Sequence, residues 1–181
     1  MSTAKEASDF ILTSVAKMLA AEDGAVQEAV RAITAAKRVF VYGVGRSGLV
    51  ARAFAMRLTQ LGLDTFFIGE TITPIVKAGD LVVVVSNTGS TMSAVQTANI
   101  ARRVGAGVLA VVGNRHSKLA QAANVVLAIS EEREEKRGKF APLGTLFEDA
   151  SLILLDGVVA EVMAALGETE STMRSRHAIM V

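Results

Sequence analysis

The chain has 181 residues, 51% of them apolar and 20% charged, with a formal net charge of +1 at neutral pH. That length suits one α/β domain with its own core, and the composition is globular rather than disordered, while the near-zero charge, the absence of Trp and the single Tyr leave no electrostatic or stacking case for nucleic acid. The lack of cysteine excludes disulfides and thiolate metal sites and fits a reducing compartment; with no apolar run of the roughly 18 residues a spanning helix needs and no basic-then-apolar secretory pattern in "MSTAKEASDF", a cytoplasmic protein is expected.

Residues 1–36 read as two helices. Ala7, Phe10, Ile11, Val15 and Met18 recur at helical spacing, "EDG" at 22–24 breaks the pattern, and Val26, Ala29, Val30 and Ile33 resume it. Both precede the first strand, which suits packing elements or an oligomer interface. From residue 38 the pattern changes. "RVFVYG" (38–43) is a β-rich run bounded by glycine, and "LVARAFAMRLTQLG" (49–62) is helical with a glycine at its end. "DTFFIG" (64–69) is a second strand. "LVVVVS" (81–86) is a third, apolar nearly throughout, as buried parallel strands are. A helix through Val95, Ala98, Ala101 and Val104, a strand at 107–113, a short helix at 116–123 and a strand at 124–130 follow. The charged run "EEREEKRGK" (131–139) reads as a solvated loop or helical turn. Residues 142–166 read as one long helix rich in Leu, Val and Ala. Strands alternating with helices through short connections form a parallel sheet covered on both faces. Ligands in such sheets bind at the carboxyl ends of the strands, near a topological switch point.

Two post-strand loops therefore matter. The first, "GVGRSG" (43–48), lets the backbone turn tightly and approach a ligand. Gly43, Gly45 and Gly48 match the dinucleotide spacing, but Arg46 crowds a pyrophosphate and Glu70 falls late for a ribose-binding acid. An ordinary glycine-rich turn is the plain structural reading. The second loop, "SNTGSTMS" (86–93), precedes a helix. Helix N-termini attract anions, and the hydroxyls of Ser86, Thr88, Ser90 and Thr91 add donors. Helix capping needs only one or two such hydroxyls. Without a Walker lysine, a phosphate monoester is expected rather than a nucleoside triphosphate.

Glu148 and Asp149 sit near the start of the long helix, in "APLGTLFED". First-turn acids complementing the helix dipole are the plain reading, and a general base is the functional one. His177, in the terminal "MRSRHAIM", reads as part of an exposed tail unless it serves a site, in which case a neighbouring subunit's site is the natural place. His116 reads as solvent-facing at the start of the short helix.

"VYGVGRSG" followed by "SNTGST" resembles the SIS (sugar isomerase) domain family. Its first loop and a serine-threonine loop of the form S-G-S-G-x-T bind a sugar phosphate. Ser86, Thr88, Gly89 and Thr91 match that second pattern, with Asn87 replacing the first glycine and Ser90 standing where glutamate is frequent. With "PLGTLFE" and the terminal "RHA" added, nearly the whole chain is similar to the 6-phospho-3-hexuloisomerases, the small single-domain branch of that family. The resemblance implies a three-layer αβα sandwich, flavodoxin-like, with a five-stranded parallel sheet and N-terminal helices. It implies one domain over 1–181, with a helical extension at 1–36 and a tail at 168–181 that contributes to a site. It also implies interconversion of D-arabino-hex-3-ulose 6-phosphate and D-fructose 6-phosphate through an enediol(ate), in the ribulose monophosphate route of formaldehyde fixation. The implied catalytic residues are Glu148 as base, His177 in proton transfer or ring handling, and Arg46 at the developing oxyanion. Ser47, Ser86, Asn87, Thr88, Gly89, Ser90 and Thr91 are the implied phosphate ligands, with Gly45 shaping the first loop. No metal or organic cofactor is expected, because the substrate carbonyl already acidifies the proton. A homotetramer with sites near subunit boundaries is implied, with 3-hexulose-6-phosphate synthase as metabolic neighbour. Another sugar-phosphate isomerase of this fold, acting on a pentose or heptose phosphate, a non-catalytic sugar-phosphate sensor, and a dinucleotide-dependent oxidoreductase remain alternatives.

Overall fold

A computed structural model of the chain describes residues 2–20, 25–130 and 135–179. Five strands among these residues, β1 (Val39–Gly43), β2 (Thr65–Phe67), β3 (Leu81–Ser86), β4 (Gly107–Val112) and β5 (Val125–Ala128), form one parallel sheet in the order β2-β1-β3-β4-β5. This is the flavodoxin-like order, not the 3-2-1-4-5-6 order of dinucleotide-binding folds. The chain leaves β1 toward one edge for β2, then returns across β1 to lay down β3. The switch point therefore lies between the carboxyl ends of β1 and β3, where Gly43 is in register with Val85.

The period of two in the strands sorts side chains between two cores. Val39, Val41, Val83, Val85, Leu109 and Val111 face one side. There they meet α2 (Val26–Ala35), α3 (Gly45–Gln60) and α7 (Thr145–Leu166), with α1 (Thr3–Ala20) packed on α7. Phe40, Val82, Val84, Val108, Ala110 and Val112 face the other side, against α4 (Met92–Arg103) and α5 (Lys118–Ala122). All six residues of β3 are buried, so its valines each contribute about 1.5–3 kcal/mol by leaving water. At the end of the sheet opposite the switch point, Arg38 and Asp80 lock the entries to β1 and β3 together. The Arg38 Nε and Nη2 donate to the two Asp80 carboxylate oxygens at 3.1 and 2.6 Å, and the Lys77 N–H donates to the same carboxylate at 2.7 Å.

Two boundaries depart from the sequence reading. The helix expected from residue 49 begins at Gly45, inside the glycine loop. The cause is close packing: a Cβ on Gly48 would lie 2.7 Å from the Gly43 carbonyl oxygen, so only glycine lets the first turn of α3 fold back on the end of β1. The expected C-terminal tail contains α8 (Glu170–Ser175), started by a capping box between Thr169 and Thr172. Part of the charged run forms the helical turn α6 (Arg137–Phe140); residues 131–134 of that run, and the break at 22–24, lie outside the described residues. No helix among the described residues is long and apolar enough to cross a membrane.

Candidate active site

The carboxyl ends of β1 and β3 open into a cavity of about 110 Å³. Val44 and Ser47 form one wall, from the start of α3. Ser86, Asn87, Thr88 and Thr91 form the other, between β3 and α4. Val44 and Thr91 are the N-cap residues of α3 and α4, and neither makes a side-chain capping hydrogen bond. Two helix N-termini thus face one small cavity with their first-turn N–H groups not capped by side chains, a favourable setting for an anion. The hydroxyls of the second loop bond among themselves instead of capping: Ser86 Oγ donates to Thr91 Oγ1 at 3.4 Å, and Ser90 Oγ to Thr88 Oγ1 at 3.0 Å. Where a serine does cap a helix in this fold, at Ser117 before α5, its Oγ accepts the Ala120 N–H.

The backbone shape of this loop is set by glycines. Asn87, standing where the family pattern has glycine, does not take a left-handed conformation; the left-handed residue is Gly89, at φ +58°. Behind it sits Ser117, so close that a Cβ on Gly89 would lie 2.1 Å from Ser117 Oγ. The Leu119 N–H donates to the Gly89 carbonyl at 2.9 Å, and the Gly113 N–H donates to the Asn87 carbonyl at 2.9 Å. The neighbouring strand end and helix start therefore mould the loop from beneath.

Glu148 lies in the first turn of α7, buried to 8% exposure. The hydroxyl of Ser47 donates to its Oε1 at 3.1 Å, and Arg46 Nη1 approaches its Oε2 at 3.4 Å. Arg46 Nη2 makes a shorter bond, 2.7 Å, to Asp149 Oδ1. Ser47 therefore joins the cavity to the carboxylate. A serine hydroxyl has one proton to donate, and here it is directed at Glu148. A Cβ on Gly144, the N-cap residue of α7, would lie 2.9 Å from both Glu148 oxygens, so any other residue there would push the carboxylate aside. Gly45, exposed at φ +60°, gives α3 its abrupt start.

The expected site residues divide into three groups. Ser47, Ser86, Asn87, Thr88 and Thr91 line the cavity; Glu148 joins it through Ser47, and Arg46 through Glu148. Gly45, Gly89 and Ser90 shape the loops without lining it. His177 stands apart: it lines a different depression with Arg57, Gln60, Met163 and Arg174. That depression is at the far end of α3, about 15 Å along the helix from Ser47. Its place is fixed by Arg176, which donates to the Gln60 carbonyl at 3.1 Å and pairs with Glu168 at 2.8 Å. His116 is exposed at the loop before α5. Sequence reasoning missed Ser117 and Gly113 as supports of the cradle, and gave Asp149, read with Glu148 as a helix-start acid or general base, no part in holding Arg46. Nothing in their local sequence marks these roles, which arise from elements brought together by the sheet. Among the described residues no cluster of His, Asp and Glu has the makings of a metal site.

The SIS domain family model matches residues 32–153. A Methanocaldococcus jannaschii protein named 3-hexulose-6-phosphate isomerase is 40% identical over 147 residues, covering 80% of this chain and 78% of its own. A Bacillus subtilis protein of the same name is 33% identical over 150 residues, covering 81% of each chain. A crystal structure of a Methanococcus jannaschii protein, for which a 3-hexulose-6-phosphate isomerase function was inferred, superposes with a TM-score of 0.83 at 32% identity over 97% of both chains.

Proposed function

The chain belongs to the SIS domain family, and from that premise we propose that it isomerises D-arabino-hex-3-ulose 6-phosphate to D-fructose 6-phosphate. It is a sugar-phosphate isomerase, like its relatives named 3-hexulose-6-phosphate isomerase. The observation that carries the proposal is the link from cavity to carboxylate: Ser47 lines the anion cavity and hydrogen-bonds the buried Glu148.

In this reading the phosphate occupies the cavity. It accepts hydrogen bonds from the hydroxyls of Ser86, Thr88 and Thr91 and from first-turn N–H groups of α3 and α4. Ser47 contributes through its backbone N–H, because its hydroxyl serves Glu148. Asn87, Gly89 and Ser90 hold the loop in shape, and Gly45 brings α3 up to the ligand. The sugar then extends toward Glu148, which takes the proton from the carbon beside the carbonyl. Electrons from that C–H bond form the C=C of an enediol(ate), and the carbonyl oxygen takes up the negative charge. Arg46 is the nearby cation for that oxygen. Return of the proton to the former carbonyl carbon, with the neighbouring hydroxyl's proton passing to the former carbonyl oxygen, leaves the carbonyl one position along. The chain's own groups suffice for these steps, and no cofactor is invoked.

His177 lies far from its own Glu148, so its proposed part in proton transfer or ring opening belongs to a neighbouring subunit's site. The apolar side chains of Leu49 and Met56 on α3 and of Leu152 and Ile153 on α7 are exposed, which fits burial in the proposed homotetramer. We read the whole of 1–181 as one SIS domain working in the cytoplasm beside 3-hexulose-6-phosphate synthase. Incubation with fructose 6-phosphate in deuterated water tests the reading. The wild type exchanges deuterium into C3 of fructose 6-phosphate, the carbon that carries the carbonyl in the hexulose phosphate, and Glu148→Gln loses at least about 10³-fold in turnover while keeping sugar-phosphate affinity. Near wild-type exchange by Glu148→Gln removes it as base; binding without exchange by the wild type points to a sensor, and turnover only with a nicotinamide cofactor to an oxidoreductase.

A further inference from the structure

Arg46 sits where a cation is poorly placed. It lies in the first turn of α3, and the residues it bonds lie near the start of α7. Both helix ends carry partial positive charge, which repels a guanidinium. Arg46 is also only half buried, with 48% of its side chain exposed, so water competes for it. Its hold on Glu148 is weak by geometry: 3.4 Å, near the outer limit of a hydrogen bond. The bond to Asp149 Oδ1, at 2.7 Å, has the length of a strong charge-assisted one. Asp149 is the more buried partner of that bond, with 33% of its side chain exposed. Of the two carboxylates, then, Asp149 is the anchor and Glu148 the neighbour.

We propose that Asp149 is a positioning residue, which holds the Arg46 guanidinium beside the reacting carbon without letting it close on the base. With one Nη tied to Asp149, the other stays within reach of the developing oxyanion. Glu148 remains oriented by Ser47 and keeps an oxygen available for the proton. Without Asp149, Arg46 has two alternatives, and both impair the reaction. It turns out to water and leaves the oxyanion unsupported, or it closes into a full ion pair with Glu148 and occupies the base. The phosphate cavity is lined by neither residue, so substrate binding is largely spared.

The inference rests on Glu148 being the base, and its test has one arm that does not. Asp149→Asn lowers kcat about tenfold with KM changed less than about twofold, and Asp149→Glu recovers part of the loss. In an Arg46→Ala background the same Asp149→Asn change has no further effect on kcat, because a residue acting only through Arg46 is silent once Arg46 is gone. The second arm is guanidinium ¹⁵N NMR of the full-length protein. The Arg46 Nη–H signals are slowed in exchange in the wild type and averaged in Asp149→Asn, with the thermal unfolding midpoint unchanged. An unchanged kcat, additive losses in the double variant, or an equally held Arg46 in Asp149→Asn overturns the proposal. Loss of Arg46 ordering in Asp149→Asn, in a protein whose wild type turns over no hexulose phosphate, supports the anchor and refutes the substrate reading instead.

Discussion

Replacing Gly89 with alanine tests whether the cradle is moulded from beneath. The added methyl would lie 2.1 Å from Ser117 Oγ and 2.4 Å from Ser117 Cβ. Rotating the serine hydroxyl relieves the first contact but not the second, because Cβ moves only with the backbone. That backbone is the N-cap of α5, held where its hydroxyl accepts the Ala120 N–H. The left-handed φ of +58° adds its own cost for alanine. Strain of about 1–2 kcal/mol from the backbone and about 1–3 kcal/mol from overpacking makes the whole penalty several times a typical surface change. The loop escapes by shifting away from α5. That breaks the bond from Leu119 N–H to the Gly89 carbonyl and displaces the hydroxyls on either side. Urea unfolding reads the stability loss, and calorimetric titration with fructose 6-phosphate reads the affinity, which falls at least about tenfold for 1.4 kcal/mol of lost binding. Adding Ser117→Gly removes the steric part and leaves the backbone part, so the double variant recovers stability relative to Gly89→Ala alone. If Gly89→Ala unfolds within about 0.5 kcal/mol of the wild type and binds the sugar phosphate unchanged, the loop is not held as described.

Two further outcomes follow from contacts elsewhere. Burial raises the Asp80 carboxyl, but the hydrogen bonds from Arg38 and the Lys77 N–H, with the charges of Arg38 and Lys37, outweigh it and hold the group below the ordinary carboxylate value. A carboxyl depressed on folding stabilises the protein above its unfolded-state value, and the contribution is lost as pH falls through the folded-state value. Asp80→Asn therefore destabilises the protein at neutral pH and flattens the acid side of its stability curve, read by urea unfolding at neutral pH and at about pH 3; equal losses at both pH values contradict this. For the C-terminal histidine, Glu148→Gln and His177→Asn chains are each inactive alone. Co-refolded in equal amounts they regain roughly a quarter of wild-type activity, because random assortment joins an intact Glu148 to a neighbour's intact His177. A mixture that stays inactive returns His177 to its own subunit, and an active His177→Asn chain removes it from the site.

Much of this protein is determined locally. The run at 81–86 is apolar on both faces of a strand, which only a covered parallel sheet accommodates, and the structure buries all six residues. The polar stretch after it begins where the strand ends and a helix starts, so its hydroxyl count and position alone point to an anion site there. The order of elements also carried a parallel sheet with its ligand-binding end at the carboxyl ends of the strands; that the switch point falls between β1 and β3 came from the sheet order. Other features were decided by tertiary structure. Ser47 and Glu148 are 101 residues apart, and Arg46 and Asp149 are 103 apart. The local pattern around Asp149 is only that of a helix-start acid. Ser117 beneath Gly89 and Gly113 beneath Asn87 are ordinary loop residues until the sheet sets β4 and α5 beside the cradle. His177 reads as an exposed tail, and the fold carries it about 15 Å along α3 from Ser47. Periodicity and turn chemistry act over a few residues, so the sequence by itself determines which elements form and where their ends are polar. Which ends meet, and which carboxylate holds which cation, depends on side chains that converge only once the sheet has closed around its two cores.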